Sequence, residues 1–328
     1  MYKTIFKGLL CLLIISSCKN TTKENTTTET QEEETLPEPP KDPEPIFELS
    51  LAQWSLHKEI QSGKLDPMDF SEKAKELGFT GIEYVSQLYT PMYKDADDPE
   101  KELQEILNAL KTKSDQHNVQ NLLIMVDGEG DLAVLDEKER NQTVENHKKW
   151  VDAAQFLGCH SIRVNLFGTN DPEKWVEVAT DGLKKLSTYA ATKSINVIVE
   201  NHGYLSSDAS LLVKVMQNVN MKNCGTLPDF GNFCLEREGG ERWGAKCVKE
   251  YPKYKGIEEM MPFAKGVSAK SYDFDADGNE TTIDYKKMLD IIKAAGYQGY
   301  IGVEYEGSRL SELDGIIATR DLLIKLSK

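Results

Sequence analysis

From Ile46 onward, short apolar runs alternate with longer stretches in which apolar side chains recur every three or four positions. The short runs predict strands at 48–54 (ELSLAQW), 80–85 (TGIEYV), 119–126 (VQNLLIMV), 160–166 (HSIRVNL), 195–200 (INVIVE), 224–229 (CGTLPD), 265–270 (KGVSAK) and 299–304 (GYIGVE). The longer stretches predict helices near 66–77, 99–116, 137–157, 172–193, 208–218, 256–263, 284–295 and 309–326. Phe70, Ala74 and Leu77 illustrate the helical spacing, as do Met288, Ile291, Ile292 and Ala295. Two junctions, LGFTGIE and AGYQGYIGVE, share one grammar: a helix stopped by Gly, a short turn, then a strand. No long hairpin region is expected. Eight strand–helix units predict a single closed (β/α)8 TIM barrel, which takes about 250 residues. An open doubly wound sheet fits less well, because no GxGxxG phosphate loop follows the first strand.

The first 45 residues follow a different logic. Lys3 and Lys7 precede the apolar run Leu9–Ile15, which is far shorter than the roughly 20 residues that span a bilayer. Ser16 and Ser17 then lead into Cys18, an ending that resembles a bacterial lipobox. This predicts a lipoprotein signal over 1–17, lipidation of Cys18 and anchoring in the bacterial cell envelope. An ordinary secretory signal with an incidental cysteine is the other reading. Residues 18–45 are dominated by Thr, Glu and Pro and predict a disordered tether, with the folded domain at 46–328.

Charge and cysteine usage narrow the partners. With 39 Lys+Arg against 54 Asp+Glu, the chain carries a formal charge of −15, which argues against nucleic acid as a partner. No cysteine spacing suggests a zinc knot. Cys159 and Cys224, at strand starts, predict buried thiols, and Cys234 and Cys247 could pair in an oxidising envelope.

In a barrel the chemistry gathers at the C-terminal strand ends. Those ends present His57, Glu83, Asp127, Glu129, Arg163, Asn165, Glu200, Asn201, His202, Asp229, Ser268, Lys270, Glu304 and Glu306. Acids crowded at one rim repel each other unless a cation, shared protons or Lys/Arg compensates. Glu200, Asp229 and Glu304 directly follow or end buried runs, as oxygen ligands of a divalent ion would. Alternatively, each caps the helix that follows it. Glu83 is expected to pair with an interior Arg or Lys. Asp127 and Glu129 could simply shape a turn, while His117 and His147 are expected to face solvent on helices.

The segments GFTGIEYV, INVIVENHG, GTLPDFGNF, FAKGVSAKSYDFDADGNE and GYIGVEYEG resemble the xylose isomerase-like TIM barrels, the sugar phosphate isomerase/epimerase superfamily. The resemblance implies one metal ion (Mn, Co, Zn or Mg) held by Glu200, Asp229 and Glu304. The family's strand-seven His is replaced by Ser268 in the segment GVSAK. Water, Ser268 or His202 would then complete the shell, or the Lys270 ammonium would partly replace the ion. The histidine-rich apurinic endonuclease branch is disfavoured by only five His and the negative charge.

The implied activity is an envelope-anchored sugar isomerase or epimerase, moving a proton next to a carbonyl through an enediolate. A free or oxidised keto-sugar is the expected substrate, since no phosphate-cradling loop is visible. Glu200 and Glu304 would act as base and acid, with Lys270 and His202 supporting catalysis. His57, Glu83, Arg163, Asn165 and Ser268 would contact substrate. A lyase or dehydratase of the same superfamily is the close alternative, and a non-catalytic sugar-binding lipoprotein the more distant one. Lys270 itself reads either as a catalytic ammonium or as a structural counter-charge.

Overall fold

A computed structural model describes residues 46–327. The expected signal, Cys18 and the expected tether lie outside the described residues. Eight parallel strands form the core: β1 (Glu48–Ala52), β2 (Gly81–Val85), β3 (Gln120–Met125), β4 (Ser161–Val164), β5 (Asn196–Glu200), β6 (Cys224–Leu227), then β9 (Val267–Ser271) and β10 (Tyr300–Tyr305). Between β6 and β9 stands an antiparallel hairpin of β7 (Cys234–Arg237) and β8 (Cys247–Glu250).

Each barrel strand pairs with its neighbour in sequence, and β10 pairs back onto β1 with Ser50 opposite Gly302. The remaining gap, between β6 and β9, is closed by bridges at Thr226–Ala264 and Asp229–Ser268. There the Ser268 amide donates to Pro228 O (2.9 Å) and the Phe230 amide to Ser268 O (3.1 Å). The closure therefore falls at the two residues that carry the chemistry. It fixes Asp229 and Ser268 side by side.

Eight helices cover the barrel: α2 (Phe70–Glu76), α4 (Pro99–His117), α5 (Glu137–Leu157), α6 (Pro172–Ala191), α7 (Ala209–Val219), α8 (Lys253–Met260), α9 (Tyr285–Ala294) and α10 (Glu312–Ser327). Two short helices, α1 (His57–Gln61) and α3 (Thr90–Tyr93), decorate the loops after β1 and β2. Among the described residues no helix is long and apolar enough to cross a membrane.

The helix starts decide what the strand-end acids do. Asp98, Asp136, Asp171, Asp208 and Asp284 accept hydrogen bonds from the first-turn amides of α4, α5, α6, α7 and α9. These are dedicated caps, separate from the strand ends. Glu200, Asp229 and Glu304 are thereby left for other work.

One element was not foreseen, and one expectation needs correction. The hairpin was not anticipated: its strands are short and charged, and Cys234 and Cys247 join across it in a disulfide with Cα atoms 5.8 Å apart. His147 does not face solvent. It is buried, with Nδ1 2.8 Å from Thr143 O one turn back in the same helix, and burial keeps its pKa below the ordinary value. A histidine whose polarity is met within its own helix can be buried without an external partner. Cys159 and Cys224 are buried free thiols, as their positions suggest.

Candidate active site

Glu200 ends β5, Glu304 lies near the end of β10, and Asp229 follows β6. Each offers a carboxylate oxygen, and these oxygens all lie within 4.8 Å of one another, with all three residues buried. Asp229 is set by its surroundings. Its amide donates to Asn201 Oδ1 (2.7 Å), and its Oδ1 accepts from the amides of Gly231 and Asn232 (2.8 and 2.7 Å). Its Oδ2 is left pointing inward.

Ser268, on β9, fills the gap between two acids. Its hydroxyl oxygen is 2.8 Å from Asp229 Oδ2 and 2.8 Å from Glu304 Oε2. One hydroxyl carries one proton, so it satisfies only one ionised carboxylate. The second contact requires a proton on a carboxyl group. Burial first, and the nearby Glu200 and Glu304 next, push the Asp229 carboxyl well above its usual range, with Lys270 opposing.

Two cations hold the rim together. Lys270, 1% exposed, places Nζ 3.0 Å from Glu304 Oε1, 3.3 Å from Glu306 Oε2 and 3.9 Å from Asp229 Oδ2. Burial works against its charge, but Glu304, Glu306 and Asp229 overcome it and raise its pKa well above the ordinary value. Arg163, on β4, donates from Nη1 to Asp127 Oδ1 (3.0 Å). Its Nε approaches Glu200 Oε2 at 3.0 Å, but the N–H is not aimed along that line. The contact is a close charge pair without an aligned hydrogen bond. Among the described residues, Glu200 Oε2 has no hydrogen-bond partner. Glu200 Oε1 accepts from Asn232 Nδ2 (3.0 Å). Burial first, opposed by Arg163 and aided by Glu304, raises Glu200 to about 7.

His202 is organised by a relay. Asn165 Nδ2 donates to Asp127 Oδ1 (2.7 Å), which leaves Asn165 Oδ1 as the acceptor facing His202 Nδ1 at 2.7 Å. His202 Nδ1 must then carry the proton, and Nε2 presents a lone pair. Burial first, then Arg163 and Lys270, lower His202 to about 4, so it is neutral near pH 7.

The other expected residues part company. Glu83 does not pair with Arg or Lys. Its Oε1 accepts from Ser50 Oγ (2.6 Å), and its Oε2 has no partner among the described residues. Burial, chiefly, raises it to about 8. A Cβ on Gly302 would lie 2.4 Å from this carboxyl, so the glycine leaves the space that the Glu83 carboxyl occupies. His57 stands one step back from the carboxylates. It stacks on Trp54 with centroids 4.3 Å apart, and its Nδ1 lies 2.6 Å from Trp54 O and 3.5 Å from Glu312. Asp127 does more than shape a turn, since it anchors both Arg163 and Asn165. Asn232 was missed. The only signal for it was its place three residues after Asp229 in GTLPDFGNF.

The sequence matches one protein family over residues 71–326, most of the chain. The chain belongs to the xylose isomerase-like TIM barrels. A curated relative, inosose dehydratase of Geobacillus thermodenitrificans (strain NG80-2), is 27% identical over 146 residues, covering 41% of this chain and 48% of that protein. The match thus spans about half the length of that relative. The zinc-containing crystal structure of the IOLI protein superposes with a TM-score of 0.62 at 15% identity, covering 86% of this chain and 98% of that one. The 3-keto-D-glucoside 4-epimerase YcjR from E. coli gives 0.60 at 14% identity, covering 79% and 94%. At such identities the structural likeness establishes the shared fold.

Within this xylose isomerase-like barrel, charge balance bears on a metal. Among the described residues, Asp127, Glu200, Asp229, Glu304 and Glu306 share two buried cations, Arg163 and Lys270. The orphaned Glu200 Oε2 and the serine shared by two acids mark where positive charge is short. The residues fit one divalent cation bound through oxygen.

Proposed function

We propose that the chain is a sugar isomerase or epimerase acting on a free or oxidised keto-sugar by proton transfer next to the carbonyl. The observation that carries this reading is the convergence of Glu200, Asp229 and Glu304 around Lys270 at the C-terminal rim of a barrel of this family. A carbon acid beside a carbonyl is too weak for an unaided carboxylate near pH 7, so the developing oxyanion must meet positive charge. Glu200 takes the proton through Oε2, its unpartnered oxygen. Asn232 holds the other oxygen in place. The Lys270 ammonium donates to the enediolate oxygen, and Glu304 returns the carboxyl proton that it shares with Asp229 through Ser268. The neutral Nε2 of His202 accepts from a substrate hydroxyl. Glu200, Asp229 and Glu304 would hold a divalent ion, which when bound supplies further positive charge toward that oxyanion.

The test is solvent deuterium incorporation into keto-sugars, followed by NMR after incubation with Mn, Co, Zn or Mg in excess. Exchange that disappears in Glu200→Gln is expected. No exchange on any sugar with any ion rejects the reading. The inosose dehydratase relative favours a second outcome, in which the same proton abstraction is followed by loss of a β-hydroxyl. Release of a dehydrated product identifies it.

We also propose that Cys18 is lipidated and holds the enzyme at the bacterial envelope. The Cys234–Cys247 disulfide supports export to an oxidising compartment. Cys18→Ala is expected to move the protein from the membrane fraction to the soluble one, and unaltered fractionation rejects the anchor.

A further inference from the structure

The barrel mouth continues sideways into a cavity of about 240 Å³, lined on the barrel side by His202, Asn232 and Tyr272 and on the hairpin side by Arg237, Trp243 and the disulfide. It adjoins the carboxylate site through Asn232, which lines the cavity and also donates to Glu200. Its volume is below the roughly 300–1,000 Å³ of a pocket for a drug-sized molecule. There is room for one ring.

The wall formed by the hairpin is held in place from several directions. The disulfide clamps its base. Arg242 grips Asp131 with two hydrogen bonds (2.7 and 3.2 Å) and lies over the Phe167 ring. The Tyr204 hydroxyl donates to Gly240 O (2.9 Å). Between these ties, Trp243 packs its indole 4.8 Å from the His202 ring and 5.5 Å from Phe167, yet remains 48% exposed. A large aromatic that is fixed but left open at a site mouth loses little entropy on binding and offers a flat apolar face. The same cavity is lined by hydrogen-bonding groups, including Asn232, Tyr272 and Lys253. A flat aromatic face for the C–H face of a sugar, with polar groups lining the same cavity, suits a neutral saccharide ring.

We propose that this cavity is a subsite for a second sugar ring. The substrate is then a disaccharide or glycoside whose reacting ring lies over the carboxylates while its neighbour stacks on Trp243. The assignment rests on the carbohydrate reading above and specifies its substrate class.

Calorimetry on the full-length chain in a non-glycosidic detergent tests it, with cellobiose, maltose, trehalose and lactose against methyl glucoside and methyl galactoside. At least one disaccharide is expected to bind fivefold or more tightly than its methyl glycoside. Trp243→Ala is expected to reduce that preference below twofold, while Trp243→Phe, which keeps a flat ring, retains it above twofold. A preference under fivefold for every disaccharide overturns the subsite. So does a preference that stays above twofold in Trp243→Ala, or one that Trp243→Phe fails to retain. Deuterium exchange on monosaccharides without the preference removes the subsite alone. The preference without any exchange leaves the subsite and removes the proton-transfer reading.

Discussion

The two sides of the rim solve the same problem with different cations. On the β3–β5 side Arg163 is fixed: its guanidinium bonds Asp127 and leans on Glu200, and Asp127 in turn orients Asn165 and His202. On the β6–β10 side Lys270 meets Glu304, Glu306 and Asp229 at 3.0, 3.3 and 3.9 Å, with no planar geometry imposed. Arg is a rigid fork that stays charged, whereas Lys is a point charge with rotatable donors. The arginine side therefore sets orientation, and the lysine side supplies a donor that can follow a shifting negative charge. Substitution on each side should separate these roles.

The largest effect is expected at Lys270. Lys270→Met leaves Asp229, Glu304 and Glu306 facing each other in a buried site, so a stability loss of about 3–5 kcal/mol is expected in denaturant unfolding. Proton transfer should fall by about 10²–10³, the cost of losing one oxyanion donor. Lys270→Arg distinguishes counter-charge from donor. It should recover most of the stability, because the charge is kept, but not the turnover, because the fork cannot reach the same point. Recovery of both would make Lys270 a counter-charge alone.

A smaller effect is expected on the arginine side, at Asn165. Asn165→Ala removes the acceptor that holds the proton on His202 Nδ1, and so frees the tautomer. Loss of the orienting partner of a metal-bound histidine costs about 10–100-fold, and an effect of that order is expected here. The check is the exchange rate together with the imidazole nitrogen shifts in NMR, which should change from one tautomer to a mixture. An unmixed spectrum with unchanged rate would show that Asn165 merely fills space.

This contrast also marks what could be read from the chain before its structure. Most of the strands were legible because short apolar runs such as NLLIM and NVIVE are bounded by Gly or polar turns and alternate with helical spacing, whereas VSAKS carries Ser and Lys and is a buried strand all the same. Glu200, Asp229 and Glu304 were legible because the strand ends set their place. The partners were not, since no spacing along the chain records that Asp127 and Asn165 meet, or that Asp229 and Ser268 close the barrel. The hairpin escaped for a physical reason: CLEREGGERWGAKCVKE has little apolar alternation. Its strands are joined by a disulfide, and its tip is tied to the barrel by Arg242 and Tyr204. Glu83 was placed in the interior correctly but given the wrong partner, since a serine meets it where a cation was expected.

Glu83 is expected to affect stability and not turnover, and it tests the comparison from between the two sides. Neither cation pairs with it, so its buried carboxyl holds its proton up to about 8, against 4.5 in the unfolded chain. A folded pKa raised above the unfolded one gives stability that is complete below about 4.5 and is lost as pH rises toward 8. Between pH 6 and 8 the unfolded state is ionised and the folded state is not, which corresponds to a loss of about 2–3 kcal/mol over that window. Glu83→Gln keeps the acceptor for Ser50 and has no proton to lose. Its urea midpoint should change less between pH 6 and 8 than that of the natural chain, and its stability at pH 8 should match or exceed it. If the two slopes are equal, Glu83 is ionised in the folded protein, and Arg163 or Lys270 must reach it after all.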